Sequence, residues 1–283
     1  MQQAVKAFIQ QSWESADVER FPGPQPVSIE RRHFIEFKKR EYLVCEKTDG
    51  VRHMLCSFEF EGKRTACLVN RAFALSPVST MIPRGTILDG ELVSLKAGGK
   101  PVFLVYDAVC VKGTDVRREP LDRRLEAARG LLKSVIRSTK DPFDIKVKTM
   151  IPMRDLATLP DLESFPWETD GLVFTPIAEP IRMGTHETLF KWKPRARITI
   201  DFLVRKGNEL YVQDRGQEYK EAELHRGATF PDGTIVECGY GDLGWAPEKI
   251  RTDKTYPNNR RTYFRTLVNL RENIQFHEFL TCT

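Results

Sequence analysis

None of the six cysteines, at 45, 56, 67, 110, 238 and 282, forms a Cys-x-x-Cys pair, and most lie inside apolar runs. That argues against a thiolate metal site or a disulfide framework and for buried, reduced thiols. No stretch approaches the ~18 consecutive apolar residues of a bilayer-spanning helix, and no charged-then-apolar leader pattern opens the chain. The expectation is therefore an intracellular protein with no membrane partner, of the nucleus or of a viral factory or cytoplasm. There is no Gly-x-x-x-x-Gly-Lys-Ser/Thr loop, no His-Glu-x-x-His, and no Cys and Arg at phosphatase-loop spacing; the five histidines are scattered. Internal repeats and low-complexity tracts are missing as well.

What is present is ordinary globular material: 283 residues, 41% hydrophobic and 29% charged, enough for one large or two modest domains. A net charge of +5 favours a phosphate-rich partner without requiring one. The doublets Arg31-Arg32, Lys38-Lys39, Arg117-Arg118, Arg123-Arg124 and Arg260-Arg261 are either RNA-phosphate contacts or solvated faces.

After a proline-broken segment (Phe21 to Pro26), alternating and apolar stretches at Tyr42 to Glu46, Val51 to Phe60, Arg64 to Asn70, Ile87 to Leu95 and Val102 to Val111 read as strands. Glu61-Gly62-Lys63 and Ala97-Gly98-Gly99-Lys100 supply hairpin turns. Leu121, Leu125, Ala128, Leu132 and Val135 recur at helical spacing, as do Phe264, Leu267, Leu270, Ile274 and Phe276 or Leu280 in a C-terminal run from Tyr263 to Leu280. Thr199 to Val204, Glu209 to Gln213 and Thr234 to Tyr240 resemble strands of a small barrel. The expected fold class is α+β: a mainly antiparallel first domain over residues 1–197, a barrel over 198–260, and a C-terminal helix over 261–283 packing back on the first domain.

The chemistry concentrates in Glu46-Lys-Thr-Asp-Gly-Val-Arg52, a lysine at the end of an apolar strand followed by a turn. A Lys-x-Asp-Gly tetrapeptide alone is weak evidence. In fixed order there follow Leu88-Asp-Gly-Glu-Leu-Val93, Phe103-Leu-Val-Tyr-Asp-Ala108, Asp170-Gly-Leu-Val-Phe-Thr-Pro176, Leu189-Phe-Lys-Trp-Lys-Pro194 and Arg251-Thr-Asp-Lys-Thr-Tyr-Pro-Asn258. Over about residues 42 to 259 this series resembles the covalent nucleotidyltransferase superfamily of mRNA capping guanylyltransferases and ATP-dependent polynucleotide ligases. The closing Arg-x-Asp-Lys-x-x-Pro-Asn and Thr199-Ile-Asp-Phe202 resemble the capping form, particularly the compact ones of large DNA viruses.

That resemblance implies an ATP-grasp-like ligase/capping fold followed by an OB-fold barrel, and an enzyme that transfers GMP from GTP to the 5′-diphosphate end of RNA through a lysyl–GMP intermediate. An amine attacks phosphorus only when unprotonated, and a free lysine has a pKa of about 10.4, so a half-buried strand end, Lys191, Lys193 and a metal are expected to favour the neutral form. Lys47 is the expected nucleophile. The nucleotide-binding positions implied are Glu46, Asp49, Arg52, Arg71, Glu91, Tyr106, Lys148, Lys191, Lys193, Arg251, Asp253 and Lys254, and Asp170 with Glu91 would hold Mg²⁺ or Mn²⁺. Arg52 and Arg71 would hold ribose and phosphate oxygens. Tyr106 either stacks on guanine or is core; Lys148 either reads the guanine O6 or faces solvent. The barrel carrying Arg251, Asp253 and Lys254 would close over the nucleotide. A separate RNA triphosphatase and a cap methyltransferase are the further proteins such a reaction implies. An ATP-dependent ligase and a non-catalytic nucleic-acid-binding module are the alternatives.

Overall fold

A computed structural model describes every residue except Ala16, Val18, Arg226 and Thr283. The chain divides into two compact units: residues 1–27 with 35–191, and residues 28–34 with 192–282. The first begins with helix α1 (Gln2–Trp13) and strand β1 (Pro24–Ser28). Helix α2 (Phe34–Lys39) and strands β2 (Tyr42–Thr48), β3 (Val51–Phe60), β4 (Lys63–Asn70), β5 (Leu75–Pro77), β6 (Thr86–Val93), β7 (Val102–Val111) and β8 (Thr114–Asp115) follow. Helix α3 (Leu121–Ser134) precedes β9 (Asp144–Val147), β10 (Ile151–Pro152), β11 (Thr169–Pro176) and β12 (Gly184–Trp192).

These strands form two sheets, ordered β5-β4-β3-β6-β7-β8, with β9 joined to β7, and β1-β12-β11-β2-β10. The pairing of β3 with β4 and β6, and of β2 with β11, is antiparallel; β9 runs parallel to β7. Both faces of the first sheet are covered, which is why β3 is buried at every position from His53 to Phe58 rather than at alternate ones. Leu55, Leu68, Leu88 and Phe103 bury against Ala128, Leu131 and Leu132 of α3. Met54, Cys56, Cys67 and Val109 bury against Val5, Ile9 and Trp13 of α1, a helix that the sequence reading did not find. The hairpin at Glu61-Gly62 has φ of 50° and 72°, the two left-handed residues a tight turn between twisted strands requires.

The second unit holds β13 (Thr199–Arg205), β14 (Glu209–Asp214), β15 (Gln217–Glu223), β16 (Ile235–Gly241) and β17 (Gly244–Ile250) in the order β15-β14-β13-β16-β17. A parallel bridge from Leu224 to Trp245 links the outer two. First to second to third to fifth to fourth and back is the strand circuit of an OB-type barrel. Two of these strands went unread in the sequence because β15 is Gln-Glu-Tyr-Lys-Glu-Ala-Glu and mostly exposed, and β17 carries Pro247 and charge.

The C-terminal run is two helices, α4 (Arg260–Glu272) and α5 (Phe276–Phe279), not one. Asn273, at φ 43°, caps the first in the left-handed region and breaks the period. Tyr263 and Leu270 of α4 are buried with Phe202, Val236 and Trp245 of the barrel, so the segment belongs to the second unit rather than to the first domain. Residues 28–34 join it: Arg31 pairs with Glu278, and Asn269 donates to the Ile29 carbonyl at 2.7 Å.

Candidate active site

Lys47 is the penultimate residue of β2, with Gly171 of β11 directly opposite and Thr169 opposite Thr48. Asp170, between those two, is the extra residue of a β-bulge. A bulge re-aims the side chain it displaces, and here the Asp170 Oδ1 accepts from Lys47 Nζ at 2.8 Å. Gly50 closes the turn after β2. A Cβ there would stand 2.5 Å from the Leu92 carbonyl oxygen and 2.9 Å from Glu91 Cγ, so only glycine lets the turn lie this close to β6.

Lys47, Arg52, Arg71, Glu91, Tyr106, Lys148 and Lys191 all line one cavity of about 410 Å³, together with Pro24, Pro26, Val173 and Leu189. The cations come from separate elements: Lys47 from β2, Arg52 from β3, Arg71 from the β4–β5 turn, Lys148 from just beyond β9 and Lys191 from β12. Such a basin suits a polyphosphate.

One wall is a buried polar chain. Lys148, 4% exposed, donates to Thr48 Oγ1 at 3.2 Å and lies 3.4 Å from Glu46 Oε1; Thr48 in turn donates to Glu91. Trp167 Nε1 donates to Glu46 at 3.3 Å. Burial pushes the Glu46 carboxyl above its ordinary value against the pull of Lys148. Lys148 is thus neither solvent-facing nor isolated, and Thr48, which the sequence reading passed over, is the hydroxyl that links it to Glu91.

A second polar group of the cavity is organised by Asp89, also unremarked in the sequence. Arg52 grips its carboxylate with Nε at 3.0 Å and Nη2 at 2.5 Å, and the Tyr106 hydroxyl donates to Asp89 Oδ1 at 2.9 Å. Burial works against the Arg52 charge, but Asp89 overcomes it and raises its pKa; burial raises that of the Tyr106 phenol. Tyr106 is itself a bulge residue: Asp89 pairs with Asp107 and Gly90 with Val105, so Tyr106 faces no partner. It is a wall of the cavity, not core.

Asp107 beside it is held by Arg124 of α3 at 2.7 and 3.0 Å. Arg124 is 2% exposed, which removes half of the Arg123-Arg124 doublet from any RNA surface. All six cysteines are free thiols; burial pushes Cys45, on the cavity wall, up to about 12.

Other expected positions lie apart from this cavity. Glu46 acts behind the wall, and Asp49 is exposed on the turn. Lys193 falls beyond the end of β12 at Trp192, and it is not among the residues lining the cavity. Arg251, Asp253 and Lys254 form a cluster in the second unit around Asp201 of β13. Arg251 reaches Asp201 at 2.9 Å and Asp253 at 2.7 Å, and Lys254 bonds Asp201 too. Asn258 closes the loop, its Oδ1 accepting from the Asp201 amide at 2.9 Å.

No three His, Cys, Asp or Glu side chains converge as a metal cage among the described residues. The site offers two carboxylates, Asp170 against Lys47 and Glu91 on the cavity wall. That donor set fits Mg²⁺, which keeps several waters and binds through one or two carboxylates plus substrate phosphates.

A lysine-bearing cleft between antiparallel sheets, followed by an OB-type barrel, defines a chain of the nucleotidyltransferase superfamily. Residues 1–195 match the family model of the mRNA capping enzyme catalytic domain, and residues 181–280 that of the mRNA capping enzyme C-terminal domain. The chain belongs to the mRNA capping enzyme family. It is 31% identical to the mRNA-capping enzyme subunit alpha of Neurospora crassa, covering 75% of this chain and 58% of that protein. It is 26% identical to the mRNA-capping enzymes of Danio rerio and of Mus musculus, covering 88% of this chain and 47% of each of them. The chain thus spans about half the length of these relatives. Among solved structures, a mycobacterial DNA ligase D complexed with ATP and MES is similar at a TM-score of 0.47 and 11% identity, over 84% of this chain and 98% of that one.

Proposed function

We propose that this chain is an mRNA guanylyltransferase acting in two steps. In the first, the Lys47 ε-amine attacks the α-phosphorus of GTP; an N–P bond forms, the bond to the bridging oxygen breaks, and pyrophosphate leaves. The proton shed by the amine goes to Asp170, its hydrogen-bond partner at 2.8 Å. In the second, a terminal oxygen of an RNA 5′-diphosphate attacks the same phosphorus, the N–P bond breaks and the lysine regains a proton. The single observation that carries this reading is Lys47 at the lip of a cavity ringed by Arg52, Arg71, Lys148 and Lys191.

Arg52, fixed by Asp89, and Arg71 take phosphate or ribose oxygens; fixed cations cost no reorganisation as charge develops. In this reading Tyr106, with its hydroxyl tied down, stacks its ring on the guanine, and the Lys148 ammonium donates to a guanine oxygen. Asp170 and Glu91 would hold a divalent cation, which when bound neutralises charge on the triphosphate. In the barrel, Arg251, Asp253 and Lys254 act on the pyrophosphate. A separate triphosphatase supplies the diphosphate end, and a methyltransferase consumes the capped product.

The test is incubation of the pure chain with α-labelled GTP or ATP and each divalent metal, followed by denaturing electrophoresis. Label from GTP that is absent in Lys47→Ala supports the reading. Label from ATP alone points to a polynucleotide ligase and overturns it.

A further inference from the structure

The second unit carries a cationic face that the chemistry above does not use. On α4, Arg261 and Arg265 are one helical turn apart, as are Phe264 and Val268, and all four point away from the buried Tyr263 and Leu270. With Arg260 and with Arg32 from the neighbouring segment they line an open depression of about 610 Å³, in which four arginines outnumber the two carboxylates of Glu30 and Asp214. Two of its four arginines are already satisfied: Arg32 pairs with Glu30 at 2.7 Å, and Arg260 with Glu221 at 2.5 Å. Arg261 and Arg265 have no carboxylate within ion-pair distance among the described residues. Phe264 is 47% exposed, although a large apolar ring is normally withdrawn from water. Its ring lies beside the Arg260 guanidinium, 5.4 Å from the ring centroid, and that guanidinium also stacks on Tyr219 at 4.4 Å.

We propose that this outward face of α4 binds single-stranded RNA, with Arg261 and Arg265 on backbone phosphates and the Phe264 ring stacked on a base. The choice of RNA rests on the reading of the chain as one that acts on RNA ends. The guanidinium fork matches phosphate oxygens in geometry. An exposed aromatic among cations is the combination by which single strands are held without regard to sequence. An acidic or phosphorylated peptide would use the arginines but leave the ring in water, so RNA is the better fit. A duplex would keep its bases stacked on one another and offer none to Phe264.

The experiment measures binding of the full chain to a fluorescent single-stranded RNA of about 12 nucleotides across a salt series, beside a duplex and a phosphorylated acidic peptide. Arg261→Ala/Arg265→Ala should weaken single-strand binding roughly tenfold at low salt and make the slope of log K against log salt shallower by about 1.4, two phosphates' worth. Phe264→Ala should weaken it about fivefold or more with the slope unchanged. Arg261→Lys/Arg265→Lys should keep the wild-type slope, which separates charge from a packing defect. Unchanged affinity and slope in the double alanine variant would overturn the proposal, and so would arginine-dependent binding of the phosphopeptide with RNA binding unaffected. GTP labelling is read in parallel. Wild type that fails to label while its RNA affinity depends on these arginines defeats the capping reading alone; normal labelling with indifferent RNA binding defeats the α4 face alone.

Discussion

The ε-nitrogen of Lys47 donates to Asp170 Oδ1 at 2.8 Å across 123 residues of sequence. The two meet because Asp170 is the extra residue of a bulge opposite Lys47. Asp170→Asn removes the proton acceptor, and with it a charged ligand of the proposed cation, while leaving a hydrogen-bond partner of the same size. It should slow formation of the covalent GMP adduct by roughly 10²- to 10⁴-fold, read as a single-turnover labelling rate. An unaltered rate would remove Asp170 from the proton's path.

Asp89 is the anchor of both Arg52 and Tyr106. Asp89→Ala leaves a guanidinium that is 11% exposed without its counter-charge, and unpairing a buried ion costs about 3 to 5 kcal/mol. Denaturant unfolding should show that loss. The milder Asp89→Asn should raise KM for GTP more than it lowers folding stability; equal KM values would deny Asp89 its positioning role.

Gly50→Ala places a methyl 2.5 Å from a backbone oxygen that cannot rotate away. Overpacking of this kind costs about 1 to 3 kcal/mol, and the turn that gives way is the one that ends the Lys47 strand. A lowered Tm together with slower labelling is expected. A Tm at the wild-type value would show that the turn has slack the contact distances deny.

Glu46 contributes a pH dependence of definite sign. Its carboxyl is raised by burial, so the folded chain holds this proton more tightly than the unfolded chain does. Folding stability from this group is complete below the ordinary carboxylate pKa and is lost as pH rises through the raised one. Lys148 and Trp167 face it. In Glu46→Gln that loss disappears, so the stability difference, variant minus wild type, should increase with pH across the mildly acidic range. Denaturant melts at stepped pH decide it; a difference that shrank with pH would reverse the assigned burial effect.

In the barrel, Asp201→Ala deprives Arg251 and Lys254 of their shared carboxylate. Asp253 remains to Arg251, so the expected destabilisation is smaller, about 1 to 3 kcal/mol. GTP labelling should fall with it, and Asp201→Asn should recover part of the stability. No change in either measurement would make the cluster ornamental.

Local sequence settled a good deal of this protein. Apolar content at successive positions placed β3 and β7 to the residue, because a strand covered on both faces is buried along consecutive residues. The linear motifs located Lys47, Arg52, Glu91, Tyr106 and Lys191, since each sits on a strand whose end opens on the cavity. Helix α1 spaces Val5, Ile9 and Trp13 at helical intervals and so was legible, whereas the polar strands β15 and β17 left no such trace, being exposed or mixed in pattern. Tertiary structure alone decided that bulges turn Asp170 and Tyr106 toward the site, that Asp89 and Thr48 join the cavity's walls, that Arg124 is buried, and that residues 28–34 pack with α4 and α5. The physical reason is one of range. A side chain's burial on its own strand depends on residues two or four positions away, whereas register across a sheet, a bulge's aim and a buried ion's partner depend on residues that folding brings from the far end of the chain.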